Sequence, residues 1–380
     1  MRCAAHTLGC KLNFAETSHL LRRMAERGHQ IVGFDDEADL YIINTCTVTA
    51  IAEKKCRTAI RQAIRRNPGA QVAVIGCFAQ NDADAIARIP GITYILGNDR
   101  KHLLPELVDN AAFQEPQTAP FPIAYSSGDR TRSFLKIQDG CDYFCTYCAI
   151  PFARGRSRSA TIEQVLQAVH EIEAQGIREV VLTGVNTGTF GLGHGEDLLQ
   201  LMRRLDNETR IDRYRISSIE PNLITDEMIR FVADSRAFLP HFHIPLQAGS
   251  DKILRLMHRR YDTTLYGEKV TFIRQLMPDA CIAADIMAGF NGEDEDEFLQ
   301  VCRFVESLPL SYLHVFTYSD RPHTAALRMA EKIDMAQRRK HSHALQEISN
   351  RKRETFCLSQ VGKQHTVLWE STRHSDAFNS

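Results

Sequence analysis

Apolar positions in the first third of the chain come in short runs separated by longer amphipathic stretches. Ala4–Gly9, Leu40–Thr45 and Gln71–Gly76 have strand length; the first two are rich in Thr, Leu and Ile, the third in Val and Ile. Between them, residues 16–27 and 52–66 show rough helical spacing, set by Leu20, Leu21 and Met24 and by Ile51, Lys55 and Ala59. Strands alternating with helices predict βα units on a parallel sheet.

Residues 112–131, with Pro116, Pro120, Pro122 and the run Ser126-Ser127-Gly128, read as a linker. A second βα series follows, with candidate strands at 134–138, 179–184, 214–219, 241–246, 282–288 and 312–318. One intervening helix carries the stripe Ile162, Val165, Leu166, Val169 and Ile172. Six such units predict a partial barrel more than an open sheet. Residues 335–356 read as a long helix, and Val361–Trp369 turns strand-like before a polar tail. The expected fold is therefore α/β: a parallel-sheet unit over 1–111, a linker over 112–131, a barrel unit over 132–358 and a short terminal segment over 359–380.

Composition narrows the function. Lys+Arg number 46 and Asp+Glu 47, a formal net charge of -1, which excludes a polycationic coat while leaving local basic surfaces possible. Hydrophobic residues make up 43% and charged residues 24%, with a mean hydropathy of -0.28, which excludes disorder and collagen-like sequence. No apolar run reaches membrane-spanning length, and the N-terminus reads straight into a strand, so neither a span nor a signal peptide is expected. The 11 cysteines are an odd number without an export signal, a pattern that favours metal or redox roles over a disulfide framework.

Cys141, Cys145 and Cys148 share the loop that follows the first predicted barrel strand. Three thiolates there suit three irons of a 4Fe-4S cluster whose fourth iron stays open. A zinc knuckle or a redox pair are the alternatives; zinc would want a fourth Cys or His nearby, and none is present. This CxxxCxxC resembles the defining motif of the radical S-adenosylmethionine (SAM) superfamily. The resemblance implies that the open iron chelates SAM and that cleavage of the sulfonium leaves a 5′-deoxyadenosyl radical.

Cys10, Cys46 and Cys77 lie far apart in sequence, yet each follows a predicted strand directly. In a parallel sheet the carboxyl ends of the strands share one edge, so the three can meet there as a second cluster site. Three buried structural cysteines are the alternative. The segments Gly9–Asn13 with Glu16 and Thr17, Asn44–Thr49 and Gly76–Gln80 resemble the three motifs of the methylthiotransferase N-terminal domain, in which these cysteines hold an auxiliary cluster that supplies sulfur. Leu135–Asp142, Ala153–Ser159, His241–Asp251 and Tyr312–Ser319 are most similar to the branch that modifies threonylcarbamoyladenosine in tRNA. The implied reaction places a methylthio group on C2 of N6-threonylcarbamoyladenosine at position 37, using one SAM for methyl transfer and another for radical generation. No catalytic residue beyond the cluster ligands is implied. Sister branches act on isopentenyladenosine or on a ribosomal-protein side chain, and a non-enzymatic iron–sulfur RNA sensor is a further alternative. The implied partners are tRNA and a low-potential donor of flavodoxin or ferredoxin type, in the cytoplasm, with neither membrane nor DNA. The family usually ends in a small TRAM-type β-barrel, of which 359–380 would be only the opening.

Other candidates follow from position. Gly184 and Asn186 sit in a glycine-containing loop after the second barrel strand, where the superfamily binds the SAM amino group. Glu220 and Gln247 are further candidate contacts, with His243 and Asp285 on or near later strands. Asn291 and Asp294 depart from the superfamily's Phe-Pro-Gly-Glu-Thr turn, and the carboxylates 293–297 read as a helix's first turn. Arg154, Arg156 and Arg158, then Arg338, Arg339, Lys340, Arg351, Lys352 and Arg353, and Arg61, Arg65 and Arg66 are candidate phosphate contacts. Cys3, Cys281 and Cys302 read as core; Cys56 and Cys357 receive no role.

Overall fold

The computed structural model describes residues 1–110, 113–114, 121–128 and 131–369, so part of the predicted linker and the tail after Trp369 lie outside the described residues. Strands β1 (Arg2–Thr7), β2 (Gln30–Val32), β3 (Leu40–Thr45), β4 (Gln71–Gly76) and β5 (Tyr94–Leu96) form one parallel sheet in the order β2-β1-β3-β4-β5. Helix α1 (Lys11–Glu26) covers one face through Leu20 and Met24. Helix α2 (Ala50–Arg66) covers the other through Cys56, Ile60 and Ala63. Every residue of β3 is buried, which is why it reads as an unbroken apolar run. The sequence places the first helix at 16; it starts at Lys11, because Cys10 adopts an extended conformation and caps it without a side-chain hydrogen bond. Strands β2 and β5, three residues each, are too short to show a period.

A two-residue strand β6 (Ala124–Tyr125) runs antiparallel to β7 (Arg132–Lys136). A short antiparallel pair, β8 (Gln138–Asp139) and β9 (Arg158–Ser159), brackets the loop of Cys141–Cys148. Then β10 (Glu179–Thr183) and β11 (Arg213–Ile216) extend the β7 sheet, while β12 (His241–His243), β13 (Cys281–Ala288) and β14 (Tyr312–Thr317) form a second. Single parallel bridges, Tyr214 to Phe238 and Ser218 to His243, join the two. Six parallel strands in chain order thus curve into a partial barrel.

Side chains alternate across the wall. Leu135, Val180, Leu182, Tyr214, Phe242, Ile282, Ala284, Ile286 and Leu313 point outward into the main core. Phe134 and Val181 face the other way and pack with Ala15 of α1, so the first helix lies against the inner side of the barrel's first strands. The long helix Met335–Ser359 packs on β14 and β13 through Leu345 and Ile348, and its Ser349 Oγ bonds both the N–H and the C=O of Leu313 at 2.9 Å. Beyond it, a turn at Val361–Gly362 leads into irregular chain to Trp369, not the expected strand. Arg213 donates to the Thr366 carbonyl at 3.1 Å and Lys363 pairs with Asp279, while among the described residues no neighbouring strand supplies a ladder.

Candidate functional site

Cys10, Cys46 and Cys77 follow β1, β3 and β4, three adjacent strands about 4.8 Å apart, so their carboxyl ends bring the cysteines to one sheet edge. Gly9 has φ +103°, and a Cβ there would stand 2.8 Å from Cys46 Cβ and 3.0 Å from its Sγ. Only glycine lets the Cys10 turn come this close. Gly76, at φ +94°, would meet the Thr45 carbonyl at 2.9 Å in the same way. Cys46 and Cys77 are buried and Cys10 is exposed, so the trio has an open side. Cys56, given no role by the sequence, braces the edge: its Sγ accepts from the Cys46 N–H at 3.4 Å and donates to the Cys46 carbonyl at 3.6 Å.

Cys141, Cys145 and Cys148 occupy a loop fastened on several sides. The Cys141 N–H donates to the Gly155 carbonyl at 3.1 Å and the Cys148 N–H to the Cys145 carbonyl at 3.0 Å. Thr146 bonds the Leu256 and Met257 carbonyls. Gly140, at φ +72°, lies against the Arg156 carbonyl so closely that any Cβ would collide. The buried Arg259 donates to Cys145 Sγ at 3.2 Å and pairs with Glu220.

Neither trio is drawn together as a site for a single ion would be. Among the described residues, the set with three ligand atoms within 4.8 Å of one another is His243, Asp285 and His314; neither cysteine trio is gathered so tightly. A cubane binds each thiolate through a different iron and needs wider spacing than one tetrahedral metal. Burial, with the neighbouring thiols of Cys77 and Cys10, pushes Cys46 up to about 12; burial, with Cys145 and Cys141, does the same to Cys148. Such thiols ionise together only when cations compensate them, which iron does.

A buried ionic junction lies between the two trios. Glu16, on α1, accepts from Lys101, from Lys136 at 2.8 Å and from Arg154 at 3.3 Å. Asp139 accepts from Arg154 at 2.9 Å and Lys136 at 3.3 Å. Arg154 also reaches Asn13 Oδ1 at 2.6 Å. Asn98 donates to Cys77 Sγ at 3.3 Å and to the Ala153 carbonyl at 2.7 Å, so one amide touches both cysteine regions. The helix opened by Cys77 (Cys77–Asn81) packs directly on the helix that follows Cys148 (Ile150–Arg154). Burial opposes ionisation of Glu16 and Asp139, but Lys101, Lys136 and Arg154 outweigh it; Glu16 is held well below the carboxylate range and Asp139 at about 2. None of Glu16, Asn98 and Lys101 carries a sequence signal for this role beyond the nearness of Glu16 to Cys10.

The SAM candidates surround the second trio. Gly184 approaches Gln138, whose Oε1 accepts the Asn186 N–H at 2.9 Å and whose Nε2 donates to the Gly140 carbonyl at 2.8 Å. The Asn186 side chain is 3% exposed and lies near the Tyr143 hydroxyl, yet neither amide atom forms a proper hydrogen bond. A buried unpaired amide calls for a partner, and a zwitterionic ligand supplies one. Glu220 reaches Cys145 through Arg259, and Gln247 holds φ +64°, left-handed for a non-glycine residue. His243 Nε2 and Asp285 Oδ1 lie 2.7 Å apart. At the altered turn Asn291 is fully buried, donating to the Ala326 carbonyl at 2.9 Å and accepting from Arg338 at 3.2 Å. Asp294 caps the following helix, as a first-turn acid should, but Glu293 lies outside that helix, buried against His341 at 2.7 Å.

Two arginines expected to meet phosphate do not face solvent. Arg154 is 3% exposed and spent on the junction; Arg338 is 4% exposed and bonds Tyr318, Asp320 and Asn291. Alternation along the sequence could not separate them from neighbours because the groups that bury them are remote in sequence: Asn13 and Glu16 of the first unit for Arg154, Asn291 and Tyr318 of the barrel for Arg338. Arg156, Arg339 and Arg351 are exposed and Arg158 half-buried.

Comparison with known proteins agrees with this architecture. Residues 2–97 match the family described as "Uncharacterized protein family UPF0004" and residues 135–305 the Radical SAM superfamily. The "Threonylcarbamoyladenosine tRNA methylthiotransferase MtaB" of Aquifex aeolicus is 35% identical, over 97% of this chain and 92% of its own. The "tRNA-2-methylthio-N(6)-dimethylallyladenosine synthase" of Nitratidesulfovibrio vulgaris strain DP4 is 33% identical, over 96% and 85%. Among solved structures, the radical SAM methyltransferase TsrM of Kitasatospora setae superposes with a TM-score of 0.61 at 14% identity, covering 86% of this chain and 76% of its own, a likeness of fold alone.

Proposed function

The chain belongs to the radical SAM tRNA methylthiotransferases, and from that premise we propose that it converts N6-threonylcarbamoyladenosine at position 37 of tRNA to its 2-methylthio derivative. The enzyme works with SAM and two 4Fe-4S clusters. In this reading Cys10, Cys46 and Cys77 hold the auxiliary cluster and Cys141, Cys145 and Cys148 the radical one, in units spanning 1–111 and 132–358. The observation that carries it is the direct packing of the helix from Cys77 on the helix after Cys148, with Asn98 touching both sides.

When bound, these groups supply a radical that removes hydrogen from adenine C2 and a methylthio group that replaces it. The chain's own residues orient and exclude. Lys101, Lys136 and Arg154 clamp Glu16 and Asp139, so the two sites keep a set separation. Arg259 places a buried cation against Cys145. Gly184, Asn186, Glu220 and Gln247 line the way to the radical site and are proposed to hold SAM. Arg156, Arg158, Arg339 and Arg351 are the proposed phosphate contacts. A flavodoxin- or ferredoxin-type protein in the cytoplasm is the proposed electron source.

The test is nucleoside mass spectrometry after incubation of the reconstituted enzyme, carrying about eight irons per chain, with SAM, reductant and three substrates. These are tRNA bearing threonylcarbamoyladenosine, tRNA bearing isopentenyladenosine, and ribosomal protein. A 2-methylthio product on the first alone is expected. Product on either of the others instead overturns the assignment.

A further inference from the structure

At the amino ends of its first three strands the inner face of the barrel is polar and predominantly cationic. Arg132, Glu179, Arg213 and Arg215 all lie on inward-facing positions of β7, β10 and β11. Glu179, 4% exposed, is the carboxylate shared by three guanidinia, at 3.6 Å from Arg132, 3.0 Å from Arg213 and 3.6 Å from Arg215. Arg215 Nη2 also donates to His241 Nε2 at 2.8 Å. That imidazole is neutral, because burial and then Arg215 hold it at about 3. It therefore adds no charge of its own.

Lys11 adds to the same region. It sits three and four positions before Phe14 and Ala15, on the helix face that packs against Phe134 and Val181. Val181 is in register with Phe134 on one side and Arg215 on the other. The ammonium thus projects over the row that carries Arg215. Lys11 is exposed and makes no hydrogen bond or ion pair among the described residues. It stands at the edge of the chamber formed by the barrel's inner face, on the side of the Arg215 row. Lys11, Arg213 and Arg215 face the two carboxylates Glu179 and Asp285, while Arg132 divides itself between Glu179 and a further partner. An excess of partly buried positive charge with an ammonium at its edge suits an anion.

Lys11 is also the residue after Cys10. On adenine, C2 and the carbon bearing N6 flank the same ring nitrogen, so a base with C2 at the cysteine edge carries its N6 substituent only a few ångströms away. A threonylcarbamoyl group ends in a carboxylate; a dimethylallyl group is uncharged and apolar.

We propose that Lys11, backed by Arg215, receives the threonine carboxylate of the N6 substituent and thereby selects threonylcarbamoyladenosine over adenosines with uncharged substituents. This rests on the function proposed above and assigns the feature of the substrate that is read. For discrimination, the chamber must lose affinity when the carboxylate is neutralised, because the cations are then left without their counter-charge.

The experiment uses enzyme reconstituted with both clusters and three anticodon stem-loops: one with threonylcarbamoyladenosine, one with its threonine carboxylate methyl-esterified, and one with isopentenyladenosine. Dissociation constants are measured without reductant, and kcat/KM with it. Wild type should bind the free acid about tenfold to a hundredfold more tightly than the ester, the span of a charge-assisted hydrogen bond. Lys11→Met should erase that ratio and leave ester affinity unchanged, and Lys11→Arg should restore most of it. Equal loss of acid and ester binding would mark Lys11 as merely structural, and an undiminished ratio in Lys11→Met would exclude it; either overturns the proposal. If Lys11→Met fails to load iron, the wild-type ratio decides, since a chamber indifferent to the carboxylate binds acid and ester alike. Wild type that modifies isopentenyladenosine alone refutes the function itself. Wild type that modifies threonylcarbamoyladenosine with no acid-over-ester preference refutes only the carboxylate receptor.

Discussion

The two cysteine trios reach comparable arrangements by opposite means. Cys141, Cys145 and Cys148 lie within eight residues of one loop, which hydrogen bonds from Cys141 and Cys148 shape locally and bonds from Thr146 to Leu256 and Met257 fasten to the barrel. Cys10, Cys46 and Cys77 come from three strands, and a shift of one residue in the pairing of β1, β3 or β4 would displace a cysteine from the edge. The local trio depends on its loop. The assembled trio depends on a whole sheet, on glycines with positive φ and on burial against the barrel. The comparison teaches that the two should fail differently, and substitutions can force that difference into view.

The largest effects are expected at the sulfurs. Cys145→Ala and Cys46→Ala should each abolish methylthiolation, but only Cys145→Ala should also abolish 5′-deoxyadenosine release from SAM. Chromatography of both products from each variant tests this; full methylthiolation by Cys46→Ala would dissolve the two-site assignment.

Next is the junction that joins the trios. Glu16→Gln leaves Lys101 and Lys136 buried without their shared counter-charge, a loss of about 3–5 kcal/mol. Thermal or urea unfolding should show it; a change within error would mean that the units dock without this pair. Acid should imitate the substitution. Because Glu16 and Asp139 titrate below their unfolded values, their contribution is complete above about pH 5 and drains away as pH falls toward about 2, the value held by Asp139. Limited proteolysis across this range should open the unit boundary before either unit unfolds.

A smaller effect sharpens the contrast between the trios themselves. Gly9→Ala forces a side chain into a left-handed position against Cys46, at about 1–3 kcal/mol. It should lower bound iron from about eight to about four per chain while leaving the SAM-cleaving signal intact. Retention of all the iron would show that the sheet edge tolerates more than its geometry suggests. The smallest effect separates surface from junction: Arg156→Ala should weaken tRNA binding by a few-fold and reduce its salt slope by about one. Arg154→Ala should act first through stability, since its guanidinium is spent on Asp139 and Glu16.

Much of this was legible along the chain. Six of the barrel's strands and three of the first sheet's show as apolar runs because each has at least one face in a core, and the eight-residue cysteine loop states its chemistry in its own spacing. Boundaries were less legible. Helix α1 begins five residues before the apolar pattern shows it, since Cys10 caps without a hydrogen-bonding side chain. Val361–Trp369 has the composition of a strand but no edge on which to pair.

The amino-acid order by itself determined the βα alternation, the local trio and the candidate second trio, because these depend on periodicity and on residue types a few positions apart. Tertiary structure alone decided what each charge is for. Arg154 and Arg156 are two residues apart, yet one is locked beneath the opposing unit and the other is bathed in water. Lys11 looks like any first-turn lysine until α1 is laid across the barrel. A charge takes its energy from what surrounds it, and here those surroundings come from residues a hundred or more positions away.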